Sequence, residues 1–153
     1  MKRMVSLLLA ALLALAAAGC GGAAQPKDVD VTALAAELAE KVSYDGTLKE
    51  LTEKQLSGFM TLPEGAQAAA YMSNGTTAEE IVAAKCASEE DAKAFLETVK
   101  SYLADQRAEL ERYQPQEVAR MEQAVLAQRG VYVVLCVSAD SAAAEQIIKE
   151  HLG

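Results

Sequence analysis

The sequence predicts an α+β fold, in which a four-stranded antiparallel sheet made of two hairpins has helices packed on one face and follows a cleaved signal peptide. Three observations support this prediction. An apolar run with a basic start ends at Cys20, as in exported precursors. Asn74-Gly75 and Gly130 lie between runs of strand-like composition, where tight turns are expected. Elsewhere apolar residues recur every three or four positions, which is typical of helices that cover a sheet.

The first residues have the organisation of a signal peptide. Lys2 and Arg3 form a short positive region, and an apolar run over residues 5–18 follows. The run ends in the letters LAAAGCGG, which resemble the lipobox of bacterial lipoprotein precursors. A retained transmembrane helix is the alternative, but it needs about 20 apolar residues and this run stops short at Gly19. We therefore expect cleavage before Cys20 and lipidation of its thiol.

Cleavage divides the chain into three parts. Residues 1–19 form the signal peptide, residues 20–29 the lipidated cysteine and a flexible tether, and residues 30–153 a single α+β domain. The lipid would hold the protein in the membrane, on the extracytoplasmic face of the cell membrane. Loss of the two basic residues of the signal peptide makes the formal charge of −8 still more negative. Such an acidic domain excludes nucleic acid as a partner, because binding it requires basic patches.

The first half of the domain is predicted as two helices followed by a hairpin. A capping box that starts at Thr52 and the Asn74-Gly75 turn support this order. The second strand of the hairpin could also form a helix, because Thr77 begins a helix-like start and the run is rich in alanine. A second N-cap pattern at Ser88 favours the strand, since a continuous helix would not need it. The predicted elements are helices over Val31–Ser43 and Glu53–Met60 and strands over Gln67–Ser73 and Glu79–Ala87.

The second half is predicted as a long helix, a short helix, a second hairpin and a last helix. An apolar stripe runs through Glu89–Tyr113, and Pro115 both ends that helix and can begin a short one. β-branched residues crowd both faces of Val131–Val137, which indicates a central strand paired with Ala124–Gln128. Asp140 then caps the C-terminal helix. The hairpins would join into one antiparallel sheet.

Three stretches of the sequence carry a family likeness. They are residues 71–81 (YMSNGTTAEEI), residues 113–115 (YQP) and residues 130–138 (GVYVVLCVS). Together with the lipobox they resemble the DUF4358 proteins, which are small lipoproteins of clostridia-like Gram-positive bacteria. The resemblance implies a strand at residues 79–87 and an anchor in the outer leaflet of the cytoplasmic membrane. It implies no chemistry, because the function of that family is itself unknown.

Candidate catalytic and metal-binding residues are few. Cys86 and Cys136 could form a disulfide outside the cytoplasm, although two buried thiols that pack as small apolar residues are favoured. His151 is the only histidine and lies at a helix end without an evident partner. Asp28 and Asp30 fit helix capping better than a calcium loop, whose other ligands are missing. We therefore expect no enzyme activity, no metal and no cofactor.

Tyrosines are the remaining candidates for binding. Four of them come from four different elements and could line a groove for a peptide or a glycan, namely Tyr71, Tyr102, Tyr113 and Tyr132. The favoured alternative is that each closes the edge of a core with few aromatic residues. The expected function is thus a non-enzymatic interaction module that contacts another protein of the cell envelope. Capture of a small ligand or peptide in the tyrosine groove is the alternative.

Overall fold

A computed structural model describes residues 28–153, so the predicted signal peptide, Cys20 and most of the predicted tether lie outside the described residues. Five strands form a single sheet in the order β1-β2-β3-β5-β4, and every neighbouring pair is antiparallel. The strands are β1 Leu48–Glu50, β2 Gln67–Ser73, β3 Glu80–Lys85, β4 Val125–Arg129 and β5 Tyr132–Val137. The predicted α+β class is confirmed.

The helices begin at the capping signals that the sequence carries, but the helix predicted to reach Met60 ends at Leu56. Asp30, Ser88 and Asp140 each cap a helix with the side chain, and Thr52 and Gln55 form the predicted capping box. None of the helices among residues 28–153 is long and apolar enough to cross a membrane. The helices are α1 Val31–Lys41, α2 Glu53–Leu56, α3 Glu89–Tyr113, α4 Val118–Glu122 and α5 Ser141–Leu152, with a 3₁₀ turn over Pro115–Glu117 between α3 and α4.

Both predicted hairpins are present. β2 and β3 pair from Met72 opposite Glu80, and β4 pairs with β5 through a turn in which Gly130 has a positive φ of 52°. The segment that could have been a helix is therefore strand β3. The hairpins join where β3 pairs with β5, with Glu80 opposite Val137.

Two features of the predicted sheet are wrong. The sheet has five strands rather than four, because the short β1 pairs with β2. Helices also cover both faces instead of one: α1 and α5 pack on one face, and α2, α3 and α4 pack on the other. The reason lies in the central strand β5, whose six residues are all buried. A strand with apolar side chains on both faces needs a layer of helix on each.

The folded domain begins slightly before its expected boundary. Val29 is buried, and its backbone N–H donates to the hydroxyl of Tyr132 at 3.0 Å. Asp28 forms an ion pair with Lys85 at 2.6 Å. Residues 28 and 29, which were expected in the tether, therefore contact the domain. The chain enters the domain at the end of β3 that carries Lys85, away from Glu80.

Candidate functional site

A groove lies between the C-terminal half of α3 and the end of the sheet where β2 turns into β3. Its cavity volume is about 230 Å³. Alternation along a strand places Glu80 on the same face as Val82 and Ala84, which pack beneath α3. The side chain of Glu80 therefore points between the sheet and α3. The groove is lined by, among others, Met72, Glu80, Tyr102, Leu110, Tyr113 and Met121.

Glu80 forms the polar floor of this groove. Its residue surface is only 3% exposed. One carboxyl oxygen, Oε2, accepts a hydrogen bond from the hydroxyl of Tyr102 at 2.8 Å. The other oxygen, Oε1, is buried and has no hydrogen-bond partner. A buried acceptor without a partner is costly, so this oxygen marks a place where a hydrogen-bond donor would be stabilising.

Burial also changes how Glu80 ionises. Removal from water raises the pKa of this carboxyl from an ordinary 4.5 to about 7, while the hydrogen bond from Tyr102 opposes the rise. Burial likewise raises the pKa of Tyr102, so this tyrosine remains a neutral donor. Glu80 thus exchanges between a neutral acid and a carboxylate near neutral pH.

The neighbouring carboxyl, Glu79, has the opposite environment. Its two oxygens accept from the backbone N–H groups of Asp45 at 2.8 Å and Gly46 at 2.7 Å, and from the hydroxyl of Thr77 at 2.9 Å. Arg120 lies 3.7 Å away. A Cβ atom on Gly46 would come within 2.6 Å of the Thr77 hydroxyl, so the loop can approach this closely only with glycine. Glu79 therefore holds the loop after α1 against the hairpin.

Arg120 fixes the short helix α4 beside the groove. Its guanidinium group binds Glu117 at 2.6 Å and also contacts the carboxylate of Asp45. Glu117 in turn accepts from the backbone N–H of Ala78 at 2.9 Å. Because each partner comes from a different segment, this network holds α4, the hairpin turn and the loop after α1 in one arrangement. The rim of the groove is thereby preorganised.

The four candidate tyrosines do not line one groove, so that prediction is wrong in its full form. Tyr102 and Tyr113 lie on the groove, and Tyr113 is 80% exposed at its edge. Tyr71 and Tyr132 pack on the opposite face of the sheet, against α1 and α5. The cause is the two-residue period of a strand, which turns odd-numbered Tyr71 away from the side that faces α3.

The two cysteines do not form the disulfide that was considered. Both are free and buried, Cys86 on the α3 side of the sheet and Cys136 on the α1 and α5 side. Side chains on opposite faces of a sheet cannot reach each other for a disulfide. Burial raises the pKa of both thiols, which disfavours the reactive thiolate. They pack as small apolar side chains.

The other polar candidates have structural partners. The ring nitrogen Nε2 of His151 lies 2.8 Å from the carboxylate of Glu37, so it joins α5 to α1. Asp30 accepts from two backbone N–H groups at the start of α1. Within the part of the chain that the structure describes, no three His, Cys, Asp or Glu side chains are grouped as a metal site would need.

A family profile described as Domain of unknown function (DUF4358) matches residues 64–138. The chain belongs to the DUF4358 family. No curated protein and no solved structure matches it. The region shared with DUF4358 contains β2 to β5 and all of α3, and therefore Glu79, Glu80 and Tyr102.

The burial of Glu80 in this DUF4358 protein was not predicted from the sequence. A run of charged residues such as Glu79-Glu80 is usually solvated, so the sequence alone does not single out this pair as a site. A signal was present, because Glu80 shares the strand period of Val82 and Ala84 in a segment predicted as a strand. A carboxyl on the apolar side of such a strand is expected to be buried, and buried ionisable groups are candidates for function.

Proposed function

We propose that the protein is a lipid-anchored, non-enzymatic binding module on the extracytoplasmic face of the cell membrane, and that the groove above Glu80 captures its ligand. The observation that carries this proposal is the unpartnered oxygen Oε1 of Glu80 at the floor of the groove. A ligand that donates to this oxygen would replace the hydrogen bonds that folding removed. Contact with another envelope protein would then occur through a group that enters the groove.

The size of the groove limits what it can capture. Pockets for drug-sized ligands have volumes of roughly 300 to 1,000 Å³. At about 230 Å³, this groove suits a group of the size of one amino-acid side chain. The apolar side chains of Met72, Leu110 and Met121 would surround the body of such a group. A short peptide or a small molecule with one polar end fits this description.

Binding is favoured over catalysis because the neighbouring groups are already engaged. The oxygens of Glu79 accept three hydrogen bonds and face Arg120, so Glu79 does not act with Glu80 as a pair. The thiols of Cys86 and Cys136 are buried, with pKa values raised by that burial. The unpartnered oxygen of Glu80 can instead accept a hydrogen bond from a ligand.

The position of the groove suits a protein held at its N-terminus. The chain enters the domain beside Lys85, whereas Glu80 lies at the other end of β3. These two residues are separated by roughly 17 Å along the strand. Even when extended, residues 21–27 span at most roughly 25 Å. On such a tether the groove would open away from the bilayer, toward ligands outside the cell.

A fragment screen by NMR tests the capture of ligands. Spectra of the ¹⁵N-labelled full chain in detergent micelles would be recorded with neutral, cationic and anionic fragments. We expect the fragments that bind to shift the amide signals of Glu80, Tyr102 and Leu110, because these residues surround the groove. A screen in which no fragment shifts these signals would contradict the proposed capture.

Membrane fractionation tests the anchor separately. Cys20→Ser removes the thiol that would carry the lipid, so we expect the variant to leave the membrane fraction. Cys86→Ser is the matched control, because its thiol is buried in the domain, and we expect it to remain with the membrane. Retention of Cys20→Ser in the membrane fraction would show that another segment holds the protein there.

A further inference from the structure

We propose that the group captured by this groove is an alkylammonium ion, bound to the Oε1 atom of Glu80 beside the ring of Tyr102. The inference rests on the proposed function and gives the chemistry of its ligand. A free alkylamine and the side chain of a peptide lysine both carry this group. The ammonium is the part that the groove recognises in either case.

The charges around the groove favour a cation. Three carboxyl groups line it, those of Glu79, Glu80 and Glu109, and no lysine, arginine or histidine is among its lining residues. Two arginines on the adjoining helices are already paired: Arg120 is bound to Glu117 and to the loop after α1, and Arg107 to Glu111 and Glu122. The charge of Arg120 offsets Glu79 rather than Glu80. A cationic ligand would therefore meet an uncompensated negative potential at Glu80.

The free oxygen favours an ammonium over a guanidinium. Oε2 of Glu80 already accepts from Tyr102, whereas Oε1 is buried without a donor, so a new donor gains most by binding Oε1. A guanidinium binds a carboxylate best with two parallel hydrogen bonds, which need both oxygens. An ammonium is a compact charge that a single oxygen can hold. Tyr102 also lines the groove, and an ammonium over the face of its ring would gain a cation–π attraction.

The ionisation of Glu80 makes this binding depend on pH. An ammonium favours the carboxylate, so binding the ligand releases the proton that Glu80 carries below a pKa of about 7. The ionised fraction rises about tenfold from pH 6 to pH 8, and the affinity should rise with it. The other titratable groups that face the groove are Glu79, Glu109, Tyr102 and Tyr113, none of which can become a competing cation.

NMR titrations of the full chain in detergent micelles test the inference. The probes are n-butylammonium, n-butylguanidinium and the neutral n-butanol, together with the tripeptide Ala-Lys-Ala capped by N-terminal acetylation and C-terminal amidation. We expect n-butylammonium to shift the groove signals with an affinity about tenfold higher at pH 8 than at pH 6. The guanidinium and the alcohol should bind at least several-fold more weakly. Tighter binding of the tripeptide than of n-butylammonium would assign the ammonium to a peptide, and the reverse to a free amine.

Variants separate the role of Glu80 from general effects. Glu80→Gln should weaken n-butylammonium binding at least tenfold and abolish its pH dependence, whereas Glu90→Gln, an exposed carboxyl at the other end of α3, should not. Tyr102→Phe frees the second oxygen, so it should narrow the preference for ammonium over guanidinium. The amide spectrum of each variant reports whether it is folded.

Two results would overturn the inference. One is n-butanol or n-butylguanidinium binding as tightly as n-butylammonium to the natural chain. The other is unchanged n-butylammonium affinity in folded Glu80→Gln. Either result, with fragments still bound in the groove, would leave the proposed capture intact. Absence of all fragment binding would instead contradict the proposed function itself.

Discussion

Replacing Glu80 by glutamine should stabilise the protein at alkaline pH and leave it nearly unchanged at acidic pH. The pKa of Glu80 is raised by burial from 4.5 to about 7 in the folded state. Between these values the folded state binds more protons than the unfolded state. The free energy of unfolding therefore falls as the pH rises through this window. The stability that protonated Glu80 contributes is fully present only below 4.5, the pKa of this carboxyl in the unfolded chain. Glutamine has no such proton to lose.

The magnitude follows from the size of the pKa change. At about 1.36 kcal/mol for each pH unit, the rise from 4.5 to about 7 corresponds to about 3 kcal/mol. Glu80→Gln should thus differ little from the natural chain at pH 4.5 and be more stable by up to about 3 kcal/mol at pH 8. A neutral amide can still accept the hydrogen bond from Tyr102.

Urea denaturation at a series of pH values measures this difference. The free energies of unfolding of the natural chain and Glu80→Gln would be compared from pH 4.5 to pH 8, so that all other titrating groups cancel. Glu90→Gln is the control, and its difference from the natural chain should stay nearly constant with pH. Parallel curves for Glu80→Gln and the natural chain would refute the conclusion that Glu80 is desolvated in the folded state.

Three further outcomes are expected. Tyr102→Phe removes a hydrogen bond that lowers the pKa of Glu80, so the carboxyl should titrate above about 7 in ¹³C NMR, and a lower midpoint would contradict the contact. Glu79→Ala leaves three donors without their acceptor and should cost several kcal/mol in urea denaturation, at about 1–3 kcal/mol for each; a loss below 1 kcal/mol would refute its role. A thiol reagent should label neither Cys86 nor Cys136 in the native domain, because both are buried. In the unfolded, unreduced protein it should label both, and a failure to label them there would reveal a disulfide.

Local signals predicted the hairpin turns and the helix starts well. Asn74-Gly75, Gly130 and the N-cap at Ser88 act through the backbone of a few neighbouring residues, so sequence spacing is enough to find them. The three-residue strand β1 was missed because Leu48–Glu50 has no pattern of its own and exists only by pairing with β2. Such pairing depends on contacts between distant segments.

Packing across the sheet was harder to predict. The alternation in β5 sends Val133 and Leu135 to the α3 side and Val134 and Cys136 to the other, but the sequence does not say which helix covers which face. A sheet with helices on one face and a sheet with helices on both faces are therefore compatible with the same local sequence pattern. The prediction of helices on one face was a choice between the two. The same strand parity divides the tyrosines between the two faces.

The candidate site depended on the same missing information. The roles of Glu79 and Glu80 differ because one meets the loop after α1 and the other meets Tyr102 of α3. Both partners are far away in sequence, and no local property of two adjacent glutamates distinguishes them. Burial of a carboxyl could be predicted from the strand period, whereas its unpartnered oxygen could not.

The titration of the Glu80 carboxyl by ¹³C NMR, with and without saturating n-butylammonium, is the most direct measurement of this site. Without ligand the midpoint should lie at about 7, and n-butylammonium should lower it because the ammonium stabilises the carboxylate. A midpoint near 4.5 that does not respond to the amine would mean that Glu80 is solvated and that the groove binds no such cation.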